Sequence, residues 1–130
     1  MINRLYNYFE NIIGNDVTKD EKSLDVYLAG MFGTIELVCN FKDNEYKVSL
    51  SVDEDEFRRI YMIDDEDDID INDLNEFNYS YTYNNIVSAL NKSQEALDLL
   101  INETSGSDVF NDYDDYGELF SNAIKIVKDK

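Results

Sequence analysis

Carboxylates dominate the chemistry available to this 130-residue chain. Of 29 Asp and Glu, 12 lie between Asp53 and Glu76, where Arg58 and Arg59 are the only bases, and six lie between Glu103 and Glu118, where there is no base. Three kinds of chemistry could follow from such runs: acid–base catalysis, cation binding, or presentation of negative charge to a basic partner. Catalysis by paired carboxylates needs one desolvated acid held apart from its solvated neighbours. A run such as Asp64-Asp65-Glu66-Asp67-Asp68 keeps its acids in water, so the chain reads as a non-enzyme. Calcium loops need alternating acids, a central Gly and a Glu at the twelfth position. A loop counted from Asp64 puts Ile69 at the glycine position and Asn75 at the last. A loop counted from Asp112 keeps Gly117 but puts Tyr116 and Ala123 at ligand positions. No metal or other cofactor is expected.

The residue types that are missing exclude more. Without His there is no Ser-His-Asp triad and no His-ligated zinc. Cys39 is the only cysteine, so neither an internal disulfide nor a CxxC knuckle can form. It falls on an inward strand position, where a free thiol behaves as a small hydrophobe. No apolar run approaches the ~20 residues of a membrane span. The start of the chain has no continuous apolar core of a signal peptide, so the sequons at Asn78, Asn91 and Asn102 carry no expectation of glycosylation. The abundance of Asn and Tyr, with no Pro and no Trp, fits an AT-rich genome such as that of a low-GC bacterium or its phages. The expected location is the cytoplasm of a bacterial host cell. The net charge of −18 disfavours direct binding to nucleic acid and to anionic membranes. A basic protein surface is the expected partner.

Polyanion mimicry is the reading that uses the acids best. Carboxylates at i and i+4 of a helix, or on alternate strand residues, lie about 6–7 Å apart. That spacing is on the scale of neighbouring backbone phosphates. The candidate contact residues are Asp53, Glu54, Asp55, Glu56, Asp64, Asp65, Glu66, Asp67, Asp68 and Asp70 in the first run, and Asp112, Asp114 and Asp115 in the second. Tyr79, Tyr81 and Tyr116 join them as aromatic anchors, because Tyr is large and stiff with a polar tip. Phe57, Tyr61, Phe77, Phe110 and Tyr113 also sit in or beside the runs. Phe57 and Tyr113 are expected in the core, whereas the alternating Tyr79, Tyr81 and Tyr83 have one face that is either exposed or packed.

The elements that must position these residues can be read from apolar periodicity. Ile2, Leu5, Tyr6, Phe9, Ile12 and Ile13 mark an N-terminal helix that ends at Gly14, and the charged stretch 16–22 reads as a loop. Three strands follow, carried by Leu24, Val26 and Leu28, by Ile35, Leu37, Cys39 and Phe41, and by Tyr46, Val48, Leu50 and Val52. Their period of two is that of half-buried antiparallel strands. Residues 30–33 and Lys42-Asp43-Asn44 supply the turns. Phe57, Ile60 and Tyr61 suit a short helix, residues 58–63 could equally be a fourth strand, and 78–83 read as a short strand at an edge. Two helices close the chain, one over residues 84–102 and one marked by Tyr113, Tyr116, Leu119, Phe120, Ala123, Ile124 and Val127. The expectation is one α+β domain over residues 1–130: an N-terminal helix, a three- to four-stranded antiparallel meander, and two C-terminal helices packed on the sheet.

The segment Asn44-Glu45-Tyr46-Lys47-Val48-Ser49 running into Asp53-Glu54-Asp55-Glu56, with the later patch Asn111-Asp112-Tyr113-Asp114-Asp115-Tyr116, resembles the small acidic anti-CRISPR proteins of phages infecting Gram-positive bacteria. Antirestriction DNA mimics share this character. The resemblance is one of pattern and composition over about two thirds of the chain. It implies an inhibitor that occupies the DNA-reading site of a CRISPR effector or restriction enzyme by stoichiometric occlusion. In CRISPR effectors that site is a pair of arginines in a groove. The alternative is an immunity or antitoxin protein that neutralises a basic bacterial toxin by charge-steered binding.

Overall fold

A computed structural model describes residues 2–14, 17–29, 33–64, 66–103 and 116–129. The chain is α+β. It begins with α1 (Ile2–Ile13) and continues through β1 (Val17–Lys19), β2 (Ser23–Ala29), β3 (Gly33–Asn40) and β4 (Glu45–Val52). Two short helices follow, α2 (Glu54–Ile60) and α3 (Ile71–Asn75), before β5 (Tyr79–Tyr83). Then come α4 (Ile86–Glu103), a 3-10 turn (Tyr116–Glu118) and α5 (Leu119–Lys128). Among the described residues the sheet has five strands in the order β1-β2-β3-β4-β5, and every neighbouring pair is antiparallel.

The expected meander is present with two differences. The stretch read as a loop contains β1, whose only buried residue is Val17. Three residues with one apolar side chain are too short to show a period. The helix reading of Phe57 and Ile60 holds in α2 and the strand alternative at 58–63 does not, while the edge strand expected at 78–83 is β5. Among the described residues the sheet therefore has five strands rather than three or four.

Period two decides the two faces of the sheet. Leu24, Val26, Leu28, Ile35, Leu37, Cys39, Val48 and Leu50 are buried on one face. Helices α1 and α4 cover that face, and α5 lies against both of them. Phe9 of α1 and Phe120 of α5 meet with ring centroids 5.9 Å apart. The Tyr8 hydroxyl donates to the Leu119 carbonyl at 2.6 Å, which ties α1 to the start of α5. Burial pushes the Tyr8 phenol up to about 12. Burial likewise pushes the Cys39 thiol up to about 12, which keeps it protonated and unreactive, as a small core hydrophobe should be.

The other face carries Asp25, Tyr27, Thr34, Glu36, Val38, Lys47, Ser49, Ser80 and Thr82, all exposed or half-buried. Gly14 sits at φ +65 and ends α1, and Asn44 at φ 52 closes the β3–β4 turn. Gly33 is required by space: a Cβ there would lie 2.8 Å from the Ser51 carbonyl oxygen and 2.9 Å from a Val52 methyl. Among the described residues no helix is long and apolar enough to cross a membrane.

Candidate functional site

The first acidic run is an excursion between two neighbouring strands. It leaves the end of β4 at Asp53 and returns to the start of β5 at Tyr79. Asp53 starts α2 as a cap: its side chain accepts the N–H of Asp55 at 2.8 Å and its carbonyl accepts that of Phe57 at 2.9 Å. Acids at the first turn and Arg58 and Arg59 at the last suit the helix dipole.

Helix α2 turns Phe57 inward. Its ring meets Phe77 edge-on at 5.7 Å and Tyr61 at 4.7 Å, with Tyr61 and Phe77 6.4 Å apart. The excursion thus has an aromatic core of its own, and Phe57 is buried as the sequence implies. Asn78 fastens the base. Its side-chain oxygen accepts the Val52 N–H at 3.1 Å and its amide donates to the Leu74 carbonyl at 3.0 Å.

The acidic loop is wrapped around Arg58. Nη1 of Arg58 donates to the carbonyls of Asp64 at 2.7 Å and Asp67 at 2.8 Å, while Nη2 lies 3.7 Å from Glu54. Arg58 therefore serves the backbone of the loop and leaves the loop carboxylates to solvent. Asp70 caps α3 by accepting the Asn72 N–H at 2.9 Å. Asp53 and Asp70 thus have helix-capping roles beside their charge.

Asp53, Glu54, Asp55, Asp64, Glu66, Asp67, Asp68 and Asp70 are all exposed on this excursion, and Asp73 and Glu76 extend the set. Glu56 belongs to α2. Asp65, Asp112, Asp114 and Asp115 fall outside the described residues, as do Phe110 and Tyr113, and Tyr116 opens the 3-10 turn. The last helix starts at Leu119, later than its aromatic pattern suggested.

Tyr79 and Tyr81 are not on the excursion. They lie on β5, opposite Leu50 and Val48, on the helix-covered side of the sheet. Nζ of Lys92, from α4, sits 4.8 Å from the Tyr79 ring and 5.0 Å from the Tyr81 ring, and it pairs with Glu95 at 3.0 Å. Tyr79 is half-buried, and burial, followed by the nearby Glu95, pushes its phenol up to about 12. Tyr81 is 48% exposed.

Among the described residues, three apolar side chains are exposed amid the acids: Tyr61 at 40%, Ile71 at 68% and Met62 at 91%. Met62 also has φ 55, a left-handed conformation that a long side chain rarely adopts. Sequence reasoning missed Met62 and Ile71 as surface residues. The available signal was that neither belongs to an apolar stripe.

A separate carboxyl pair lies on the sheet face opposite α1 and α4. Glu36 and Asp25 are diagonal neighbours across β2 and β3. Desolvation first, then the hydrogen bond and negative charge of Asp25, hold the Glu36 carboxyl above its usual range, with Lys47 opposing. Oδ1 of Asp25 is buried without a hydrogen-bond partner. Among the described residues no group of three or more Cys, Asp or Glu is placed to hold a metal ion. Compared with known proteins, the chain matches no family model, no curated protein and no solved structure.

Proposed function

We propose that the chain is a protein inhibitor of the DNA-mimic kind, of anti-CRISPR or antirestriction type. It presents the acidic excursion to the nucleic-acid-binding groove of a basic host-defence nuclease and blocks it stoichiometrically. One observation carries this reading. Ten carboxylates are exposed on a single excursion that has its own aromatic core and no lysine. Repulsion among them has no packing benefit, so it is tolerated only if a partner gains from the charge. The inhibitor works inside a bacterial host cell, needs no cofactor and performs no catalysis. Association is fast and salt-sensitive, because long-range attraction acts on the encounter. Residence time depends on the few buried aromatic contacts.

The test is capture from host lysate at low and high salt, followed by DNA binding by the captured protein with and without inhibitor. A nuclease that loses its DNA on equimolar addition supports the proposal. The charge-reversed variant with Asp64, Asp67 and Asp68 all changed to Lys should lose capture while keeping its circular dichroism. Capture that survives this change would make the run a solvated face and nothing more.

The second reading, an immunity protein for a basic toxin, is favoured by the exposed Tyr61, Met62 and Ile71. A single-target interface uses a compact apolar anchor within its charges. Ile71→Ser separates the two readings. A phosphate mimic should lose little affinity, whereas an immunity protein should lose at least tenfold. A toxin gene immediately upstream would also decide for the latter.

A further inference from the structure

Strand β5 occupies one edge of the sheet, and no described strand pairs with its outer side. Proteins usually guard such an edge with charged residues or proline. This chain is 31% charged, yet the 15 residues from Phe77 to Asn91 carry no charge at all. The edge strand lies inside that stretch. Its sequence, Tyr79-Ser80-Tyr81-Thr82-Tyr83, reads nearly the same in both directions.

We propose that the outer edge of β5 is an interface for a second copy of this chain, paired antiparallel about a twofold axis at Tyr81. A C2 interface is self-complementary, so a strand that serves it must match its own reverse. Pairing about Tyr81 sets Tyr81 against its own copy, Tyr79 against Tyr83, and Ser80 against Thr82. Aromatic pairs and Ser/Thr pairs are both favourable across antiparallel strands. Tyr81 is 48% exposed and would gain cover. Lys92 already stacks on Tyr79 and Tyr81 from the α4 side, so the rings are held in place before pairing. The two copies would share one continuous ten-stranded sheet.

Charge favours this arrangement over other pairings. The acidic excursion enters β5 at its Tyr79 end. Antiparallel pairing sends the two excursions to opposite ends of the joined strands. Five strand residues span about 17 Å, which exceeds the screening length of about 8 Å at physiological salt. A parallel arrangement would bring the excursions together.

Sedimentation equilibrium over a wide concentration range, at moderate and high salt, tests the proposal. The wild type should approach twice the 15.2 kDa monomer mass, more completely at high salt, where residual repulsion is screened. Tyr81→Glu puts like charges opposite each other at the axis and should leave a monomer with unchanged circular dichroism. Tyr81→Cys should form an intermolecular disulfide under mild oxidation, because paired strand residues approach within about 5 Å. A control cysteine at the exposed Lys125 should not, and Cys39 is buried and will not interfere. A wild type that stays monomeric at all concentrations overturns the proposal. So does a dimer that survives Tyr81→Glu, or equal cross-linking at positions 81 and 125.

Discussion

The side-chain oxygen of Gln94 accepts the backbone N–H of Phe120 at 3.0 Å, so a residue in the middle of α4 caps the start of α5. The same oxygen accepts the N–H of Ser121 at 3.0 Å. Its amide donates to the Gly117 carbonyl at 2.8 Å and to Asp98 at 2.9 Å. All four bonding positions of a buried amide are thereby used, and two of them satisfy helix N–H groups that have no partner within α5.

Replacing Gln94 with Leu should therefore destabilise the protein despite its similar size. Two N–H groups and one carbonyl would lose their partners in a buried site, at a cost of about 2–4 kcal/mol. Urea unfolding of the two proteins measures this directly. Gln94→Glu keeps the acceptor but turns a donor towards Asp98 and Gly117 into a negative charge. Its deficit should shrink as the pH falls and the new carboxyl is protonated. A Leu variant as stable as the wild type would mean that solvent reaches the helix start.

Gln94 also marks what was legible in the sequence. It lies four residues after Leu90 and three before Leu97, directly on the buried stripe of α4, and a polar residue there signals an internal bond. The meander was readable because β2, β3 and β4 each alternate through seven or eight residues. Strand β1 was not, because Val17 alone cannot show a period, and α3 was not, because its five residues hold no buried side chain. The acids of the first run were legible as exposed charge. The role of Arg58 was hidden, since besides Glu54 its partners are the backbone carbonyls of Asp64 and Asp67.

Arg58→Met tests that role. The carbonyls of Asp64 and Asp67 would exchange a guanidinium for water, so global stability should fall by only about 1 kcal/mol. The local effect should be larger. Hydrogen exchange at the Asp67 and Ile63 amides, which bond to the Asp64 and Arg58 carbonyls, should accelerate while the sheet amides keep their protection. Any loss of affinity for a basic partner would report loop order rather than charge, because the variant is more negative than the wild type. Unchanged protection at Asp67 would show that the loop holds its shape without the cation.

Glu36 gives a pH dependence with a definite sign. Its carboxyl is held above the ordinary value of 4.5 in the folded protein by desolvation and by Asp25. A raised acid contributes stability below its unfolded pKa and loses that contribution as pH rises through the folded value. At neutral pH the charge on Glu36 is thus a net liability, which Lys47 only partly offsets. Glu36→Gln removes the charge and can donate to the unpartnered Oδ1 of Asp25. The variant should melt higher than the wild type at pH 7, and the gain should vanish below about pH 4. A gain that is the same at both pH values would assign the effect to packing instead.

Met62 separates stability from function within the acidic excursion. Its side chain is 91% exposed and buries nothing for the fold, yet its backbone sits at φ 55. A non-glycine residue in this region costs about 1–2 kcal/mol, and Asn, which occupies the same region at position 44, tolerates it better. Met62→Gly removes that strain, and the greater freedom of Gly in the unfolded chain works against the gain. The melting temperature should therefore stay level or rise slightly. If the exposed Met is an anchor for a partner, the same variant should dissociate faster, with little change in the salt-dependent association rate. Surface plasmon resonance against the captured partner reads both rates. Unchanged dissociation in a variant of equal or greater stability would leave the strained, exposed methionine without a binding role.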